Sequence, residues 1–396
     1  MADLKENLHT EHMVLNMGPS HPATHGTVKF LLTLDGETVV NLETEIGYLH
    51  RGFEKMCESV TYSNVFPYTD RLNYCSAIMN NIGFALAVEK LCDIEITERC
   101  KYIRVVTNEL ARISDHYTNI AAAALELGAL TAFIYFVEAR EIVWDLLEKV
   151  CGARLTSNYI RIGGLMCDLP PGFDEDLEAS YPKLDSLFED VDNLLTKNRI
   201  FIDRMQDTGA IPVESAISWG FTGPCLRASG VDYDVRKNHP YLCYEKIDFD
   251  IPLGKTGDNF DRYLVRMEEI KQSFRIIKQA MRDMPDGPIN VSNPYLRNPA
   301  KPDVYARMEE MIAHFKMVID GLKPPVGEVY FPTEAANGEL GFYLVSDGSG
   351  KPYKCRVRPP SFTLTAAMGE MCKGGMLADI IPTFDMINMI GGECDR

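Results

Sequence analysis

Two histidines near the start of the chain, His21 and His25, have the four-residue spacing of metal ligands on one face of a helix. Pro22 and Gly26 argue against a helix there, because proline cannot donate a backbone hydrogen bond and glycine is a poor helix former. We therefore predict a loop over residues 18–26. In a loop, this spacing no longer indicates a metal site.

Two glycine-containing segments resemble nucleotide-binding motifs, but neither matches its motif in full. Gly254-Lys255-Thr256 matches the end of a phosphate-binding loop, but the glycine required five positions earlier is replaced by Phe249. Gly348 and Gly350 lie between two predicted strands, whereas a dinucleotide-binding turn leads from a strand into a helix. The sequence therefore gives no sign that this chain binds a nucleotide.

The chain has eleven cysteines, and none is separated from another by the two-residue gap of zinc or iron–sulfur ligand pairs. Their odd number and irregular spacing also argue against the disulfide framework of a secreted protein. We interpret them as scattered thiols in a reduced cytosolic compartment. They are Cys57, Cys75, Cys92, Cys100, Cys151, Cys167, Cys225, Cys243, Cys355, Cys372 and Cys394.

One apolar run, residues 120–137, contains Glu126 as its only charged residue and is long enough to raise the question of a membrane span. A carboxylate near the middle of a bilayer costs several kcal/mol. Gly128 and Thr131 indicate a break between two helices, and the flanks lack the Lys/Arg excess expected on one side of a membrane. We predict two buried helices, in which Glu126 needs a partner because unpaired charges are rarely buried.

Composition narrows the function classes. The 396 residues are 46% hydrophobic and 24% charged, which is typical of a globular protein of two or three domains. The net charge of −17 comes from 40 basic and 57 acidic residues, so the chain has no electrostatic footprint for nucleic acid. Residues 1–12 are polar and show no signal-peptide pattern.

The hydrophobic pattern predicts an α+β protein with a large helical body between two β-rich ends. Short strands are expected at 12–17, 28–34 and 38–42, and again at 327–332, 339–345 and 352–357. An apolar stripe at gaps of three and four predicts a helix over residues 103–120. Arg112, Asn119 and Glu126 recur every seven residues on another face of this segment. Further helices are expected at 130–150, 175–204, 258–282 and 303–321.

Six segments, in this order, resemble one known family over essentially the whole chain, from His12 to Arg396. The family is the D subunit of bacterial respiratory complex I, the proton-pumping NADH:quinone oxidoreductase. The matching segments are residues 18–26, 46–55, 71–74, 158–164, 226–237 and 327–330.

The resemblance implies a fold shared with the large subunit of nickel–iron hydrogenases, which hold their metal with two Cys-x-x-Cys pairs. Here the first region, residues 47–55, has no cysteine and the second has only Cys394, so no metal is expected on this chain. In this family the remaining cavity receives the quinone headgroup. We expect one subunit fold with an N-terminal β element (1–48), a helical body (49–323) and a C-terminal β-rich region (324–396).

The family's headgroup ligands correspond to His25 and Tyr74, with His21 and Thr24 beside them, and its histidine-pairing carboxylate corresponds to Glu126. Quinone reduction takes two electrons and two protons, so a site needs donors to both carbonyl oxygens. A carboxylate would fix the histidine tautomer and raise its pKa. Considered without the family, His25 would be a loop histidine with satisfied hydrogen bonds, and Tyr74 a core residue.

Arg51 and Arg71 correspond to family arginines near the terminal iron–sulfur cluster of the neighbouring B subunit, where a cation would raise the cluster's potential. The alternative for Arg51 is a surface ion pair with Glu54. Two positions depart from the family. Many relatives have Asp at Asn73, beside Tyr74, and many have a histidine at Thr156 that is thought to couple protonation to cluster reduction.

The resemblance implies a translocase subunit that is active only in its complex, with FMN and iron–sulfur clusters on partner subunits and quinone as the substrate. The expected partners are the B and C subunits and the membrane-arm H subunit. The chain would lie peripherally on the cytoplasmic side of the bacterial inner membrane. Two alternatives remain: a related complex fed by ferredoxin, and a structural subunit that only shapes the quinone chamber.

Overall fold

The computed structural model describes residues 12–293, 296 and 299–396. The chain begins with an antiparallel three-stranded sheet in the order β1-β2-β3, formed by β1 (Met13–Met17), β2 (Lys29–Asp35) and β3 (Thr38–Glu45). In β2 the buried residues Phe30, Leu32 and Leu34 alternate with partly exposed ones, so one face of the sheet packs on the core. The predicted N-terminal sheet is confirmed.

Thirteen helices and a short two-stranded sheet make up the central part of the described chain. At its centre, α4 packs against α3, α5 and α11. The helices are α1 (Phe53–Ser59), α2 (Phe66–Thr69), α3 (Ala77–Leu91), α4 (Glu98–Glu126), α5 (Leu130–Cys151), α6 (Phe173–Leu195), α7 (Arg199–Met205), α8 (Val213–Trp219), α9 (Gly223–Ala228), α10 (Val235–Asn238), α11 (Asn259–Asp283), α12 (Lys301–Ala306) and α13 (Met308–Ile319); the strands are β4 (Ile160–Arg161) and β5 (Gly164–Leu165).

The C-terminal part starts with a second three-stranded antiparallel sheet, β6 (Gly327–Ala335), β7 (Gly338–Ser346) and β8 (Lys354–Arg358), and continues as four short helices. These helices are α14 (Pro360–Ala366), α15 (Met368–Cys372), α16 (Ile380–Met386) and α17 (Gly391–Cys394). Buried side chains of the N-terminal sheet and of α14–α17 form one hydrophobic cluster. The first and last parts of the described chain therefore meet and share a core.

Three sequence predictions need correction. The helix predicted over 175–204 is two helices, because the chain leaves α6 after Leu195 and Asn198 caps α7 through a hydrogen bond from the amide of Ile200. The helix predicted over 303–321 is likewise split into α12 and α13 at Arg307, whose backbone is extended. The β-rich character expected for 324–396 ends at Arg358, since four helices follow.

A network of buried charges ties α4 to α9, α10, α11 and β6. Arg227 is fully buried and contacts three carboxylates, with N···O distances of 2.5 Å to Glu269, 2.8 Å to Glu334 and 3.4 Å to Asp234. We call this set the core network, and in it every carboxylate has an arginine partner. Its members are Glu109, Arg112, Arg227, Asp234, Arg236, Glu269 and Glu334.

The break predicted within the apolar run is confirmed, since α4 ends at Glu126 and α5 begins at Leu130. The burial expected there holds only in part: Ile120, Ala124 and Phe136 are buried, whereas Leu130 and Ile134 are more than half exposed. Among the described residues, we find no helix whose length and apolar character would suffice to cross a membrane.

Candidate functional site

The predicted loop over residues 18–26 contains a single 3₁₀ turn, Pro22–Thr24, capped by the Nδ1 atom of His21, which accepts from the amide of Ala23 at 3.2 Å. Thr24 is buried, and its hydroxyl donates within the loop to the carbonyls of Pro19 and His21. Gly18 has φ +91°, and a Cβ there would lie 2.4 Å from the carbonyl oxygen of Val28. The loop is therefore held closely against the end of the sheet.

His25 ends this turn in the left-handed region, with φ 54°. Its side chain is exposed, and its ring centroid lies 6.4 Å from that of Phe384 in α16. Within the described part of the chain, no hydrogen bond to the imidazole is formed. The alternative prediction is a loop histidine with satisfied hydrogen bonds. His25 does lie in a loop, but that loop forms no hydrogen bond with its imidazole, so this part of the alternative is wrong.

Tyr74 opens the 3₁₀ turn Tyr74–Ser76 that leads into α3, and 41% of its surface is exposed. It is therefore not a core residue, and its hydroxyl has no hydrogen-bond partner among the residues that the structure describes. Partial burial, with smaller contributions from neighbouring Cys75 and Asp115, raises the pKa of Tyr74 to about 12. The hydroxyl consequently keeps its proton and can donate it in a hydrogen bond.

The expected pairing of Glu126 with His25 is wrong in this structure. Glu126 is the last residue of α4 and is exposed, and no described residue pairs with it. Because the helix ends there, the carboxylate can reach solvent and does not need a cation to offset burial. Its charge acts on Asp385 instead, whose pKa is raised far above the usual range, first by burial and then by Glu126.

Arg51 and Arg71 lie side by side on the surface, where an Arg51 guanidinium nitrogen donates to the carbonyl oxygen of Arg71 at 2.8 Å. Burial and the neighbouring Arg71 charge lower the pKa of Arg51. The alternative pair with Glu54 is not formed, because that carboxylate binds Arg356 at 3.0 Å. The two predicted cluster-facing cations are therefore adjacent.

Arg71 also borders a cleft of about 1290 Å³ between α2, the segment before β4 and α13. Thr156 lies in its wall with φ 51°, a left-handed conformation that a β-branched side chain rarely adopts. Buried Asp70 lines the same cleft, and burial raises its pKa to about 6 although the amide of Asn158 donates to it. The position lacking the family histidine thus lies close to a buried carboxyl group.

Residues 384–395, which we call the C-terminal hub, contact the candidate segments one by one. Phe384 lies by His25, and Asp385 is influenced by Glu126. The carboxylate of Asp395 accepts from the amides of Gly47 and Leu49 at 3.0 and 2.8 Å.

The hub reaches the remaining segments as well. Gly392 packs against the backbone before Tyr74 so closely that a Cβ would lie 2.6 Å from the carbonyl oxygen of Arg71. Asn388 donates to Asp115 of α4 at 2.8 Å. The hub therefore brings His25, Tyr74, Glu126 and the two arginines into one neighbourhood, although they are far apart in sequence.

No group of three or more His, Cys, Asp or Glu side chains in the described ranges is arranged to hold a metal ion. Cys394, the one thiol near the second hydrogenase cysteine position, is buried, and burial raises its pKa to about 12. A protonated thiol is a poor metal ligand, since the thiolate is the binding form.

Comparison with known proteins shows the family of this chain. Residues 126–396 match the model of the family described as the 49 kDa subunit of respiratory-chain NADH dehydrogenase. The chain is 55% identical over its whole length to the NADH-quinone oxidoreductase D subunit 2 of Anaeromyxobacter sp. (strain K), of which it covers 92%. The chain belongs to the 49 kDa subunit family. It is also 53% identical to the NADH-quinone oxidoreductase D subunit of Myxococcus xanthus, covering 100% of this chain and 95% of that protein.

A third relative of this 49 kDa family member is the NADH-quinone oxidoreductase C/D subunit of Bdellovibrio bacteriovorus. The identity is 49% over 98% of the present chain and 70% of the relative. The recognition of the family and the α+β fold class are thus confirmed.

Sequence reasoning missed four polar residues that connect this family member's site: Asp115, Asp385, Asn388 and Asp395. For Asp385 the available signal was an acidic residue within an otherwise apolar segment, the same pattern that marks Glu126. Asp385 stands in such a segment, and its Oδ2 atom is buried without a hydrogen-bond partner. Their contacts run between distant parts of the chain, so spacing alone could not reveal them.

Proposed function

We propose that this chain is the quinone-site subunit of an NADH:quinone oxidoreductase, in which a quinone is reduced to a quinol. The observation that carries the proposal is the convergence of His25 and Tyr74 on the C-terminal hub, each with a polar side chain that no described residue satisfies. Exposed donors without partners are suited to a ligand, because the fold itself does not use their hydrogen bonds.

In the proposed reaction, the quinone takes up two electrons and two protons. Tyr74 donates a hydrogen bond to one carbonyl oxygen and His25 to the other, so that negative charge is neutralised as it develops. His21 and Thr24 shape the loop that carries His25. Glu126 is exposed and close enough to Asp385 to raise its pKa, and we propose that it lies on the route by which solvent replaces the protons consumed.

The electrons are proposed to come from an iron–sulfur cluster in the neighbouring B subunit, facing Arg51 and Arg71. Two adjacent cations favour the reduced, more negative cluster. The FMN and the other clusters would lie on further subunits, and proton translocation would occur in the membrane arm.

The proposed partners are the B and C subunits and the membrane-arm H subunit, with the chain peripheral on the cytoplasmic side of the inner membrane. The Bdellovibrio relative supports the association with the C subunit, since its name joins C and D in a single protein. The exposed apolar face of α12 and α13, including Tyr305, Phe315 and Val318, provides surface for such contacts.

The test is quinone reduction by the assembled complex carrying Tyr74→Phe or His25→Ala. Losing a general acid typically costs about 10²- to 10⁴-fold in rate, so we expect a fall of at least about 100-fold. Tyr353→Phe, which changes an exposed tyrosine just before β8, is the matched control and should have no effect. Electron transfer from NADH to a water-soluble one-electron acceptor should stay normal.

Near-normal turnover and quinone affinity in both variants would overturn the donor assignments and leave a chamber-forming role. The alternative of a ferredoxin-fed complex is separated by the electron donor. We expect the native complex to oxidise NADH, and a complex that reduces quinone only with reduced ferredoxin would contradict this part of the proposal.

A further inference from the structure

Asp115 is a buried carboxylate on α4 directly beneath the turn that carries Tyr74. Its Oδ2 atom accepts from the side-chain amide of Asn73 and from the hydroxyl of Ser76, both at 2.7 Å. Its Oδ1 atom accepts from the side-chain amide of Asn388 at 2.8 Å. The carboxylate therefore holds the residues on both sides of Tyr74, and ties them to the C-terminal hub.

The turn itself is fixed by further hydrogen bonds of Asn73. Its side-chain oxygen accepts from the amide of Cys75 at 3.1 Å, and its backbone carbonyl accepts from the side chain of Asn80 at 2.9 Å. Asn73 and Asn80 are both fully buried, whereas Tyr74 is 41% exposed. The backbone on either side of the tyrosine is thus rigid, and only its side chain projects from the turn.

Asp115 differs from the buried carboxylates of the core network in having no cationic partner among the described residues. Three neutral donors balance its charge, and all three belong to the turn or to the hub. A carboxylate with only neutral donors is costly to bury for stability alone. Its placement beneath an exposed proton donor suggests a role in the chemistry of that donor.

We propose that Asp115 is a positioning residue for Tyr74: through Asn73 and Ser76 it sets where the tyrosine hydroxyl meets the quinone. This inference rests on the proposed function, because it concerns the same site. The negative charge also favours the protonated form of Tyr74, which is the form that donates. In this pair Asn73 donates the hydrogen bond and Asp115 accepts it. Exchanging the two side chains would keep one donor and one acceptor at the same two positions.

The test exchanges the two residues in the assembled complex. Asn73→Asp alone places two carboxylates face to face, and we expect kcat for quinone reduction to fall about 10- to 100-fold, because misplacing a catalytic group by about 1 Å has an effect of this size. Asp115→Asn alone directs an amide donor at the amide of Asn388, and a smaller fall is expected. The double variant Asn73→Asp/Asp115→Asn restores a donor–acceptor pair and should recover most of kcat.

Two readouts separate positioning from mere support of the fold. The quinone KM should change less than about threefold in all three variants, since the hydroxyl's placement affects the reaction more than binding. In a Tyr74→Phe background, Asn73→Asp should lower kcat by no more than about twofold, because the group it positions is absent. An equal fall in both backgrounds would overturn the proposal.

The remaining outcomes are also decisive. If Asn73→Asp does not assemble, Asp115→Asn and the double variant carry the test, and a double variant no better than Asp115→Asn would overturn the inference. If Tyr74→Phe reduces quinone normally, the proposed function itself fails. If Tyr74→Phe is impaired but Asn73→Asp and Asp115→Asn both retain normal kcat, only the role of Asp115 is refuted.

Discussion

Two groups of buried carboxylates in this molecule differ in whether arginines accompany them. In the core network each of them has an arginine partner, and Arg227 alone contacts three. Beneath the candidate site, Asp115, Asp385 and Glu393 are equally buried, but none has a cation within ion-pairing distance in the described chain. The described chain therefore pairs arginines with the carboxylates that hold helices together, and leaves these three carboxylates without a cationic partner.

The pKa values follow this division. The neighbouring arginines lower the pKa of Asp234 to about 2 despite its burial, and they lower those of Glu109 and Glu269 as well. Around the hub, burial raises the pKa of Glu393 to about 7 and that of Asp385 far above its usual range. Glu334 is the exception in the network, because burial and nearby Asp234 raise its pKa. The arginines therefore favour the ionised forms of Asp234, Glu109 and Glu269, whereas burial favours the protonated forms of Glu393 and Asp385.

The largest effect is expected from breaking the core network. Arg227→Met leaves Glu269, Glu334 and Asp234 with too little positive charge, and removing one partner of a buried ion pair typically costs about 3–5 kcal/mol. The measurement is urea unfolding of the purified full-length chain. Arg275→Met is the control on the same helix as Glu269, because that arginine pairs with Asp248 at the surface and should have little effect. A loss no greater than in the control would contradict the structural role of the network.

Sequence alone could predict the fold class and several long elements, although not α3. The N-terminal sheet and helices α4, α5 and α11 follow from local hydrophobic periodicity, which depends only on residues close in sequence. The short helices α14–α17 could not be predicted, because most of their stability comes from packing against the N-terminal sheet. The breaks within α6–α7 and α12–α13 depend on caps and single backbone conformations that periodicity does not record.

The family resemblance could supply candidate residues for the site, but not the contacts between them. The family resemblance selected His25, Tyr74 and Glu126, but the pairing assumed between His25 and Glu126 depended on distances across the hub. The departure at Asn73 illustrates the same limit. The sequence shows that the carboxylate common among relatives is absent beside Tyr74. In the structure, the carboxylate of Asp115 on α4 accepts a hydrogen bond from Asn73 at this position.

The second-largest effect is expected at Glu393, whose contribution to stability should depend on pH in the opposite direction to that of Glu269 in the core network. A raised carboxyl pKa means that the folded chain holds the Glu393 proton more tightly than the unfolded chain does. This contribution is present below about pH 4.5 and is lost as the pH rises through about 7. Glutamine cannot ionise, so the Glu393→Gln variant does not lose this stability as the pH rises. Its free energy of unfolding should therefore increase relative to that of the unmodified chain across this pH range, by roughly 3 kcal/mol at most.

Unfolding of both full-length chains in urea at several pH values between 4 and 8 measures this difference. Glu269→Gln is the matched variant in the network. Because Arg227 lowers the pKa of Glu269, the stability it contributes is present at neutral pH and is lost as the pH falls. A stability difference for Glu393→Gln that shrinks with rising pH would contradict the division between the two regions.

The smallest effect is expected at Glu126, and it tests whether this carboxylate belongs to either buried class. Because it is exposed at the end of α4 and lacks a partner in the described chain, Glu126→Gln should change the free energy of unfolding by less than about 0.5 kcal/mol. His25→Ala should do the same, and the two changes together should be additive. A buried ion pair between them would instead cost about 3–5 kcal/mol when either partner is removed.

Glu126→Gln, His25→Ala and their combination form a double-mutant cycle, which can also be measured through quinone reduction by the assembled complex. A coupling above about 1 kcal/mol in the unfolding of the isolated full-length chain would show that the pair forms without partners, and would contradict the exposed position of Glu126. If coupling is absent in the isolated chain but present in the assembled complex, the partners or the quinone bring the two side chains together. Carboxylates around the hub would then gain their partners only when the complex assembles, whereas those of the core network gain theirs when the chain folds.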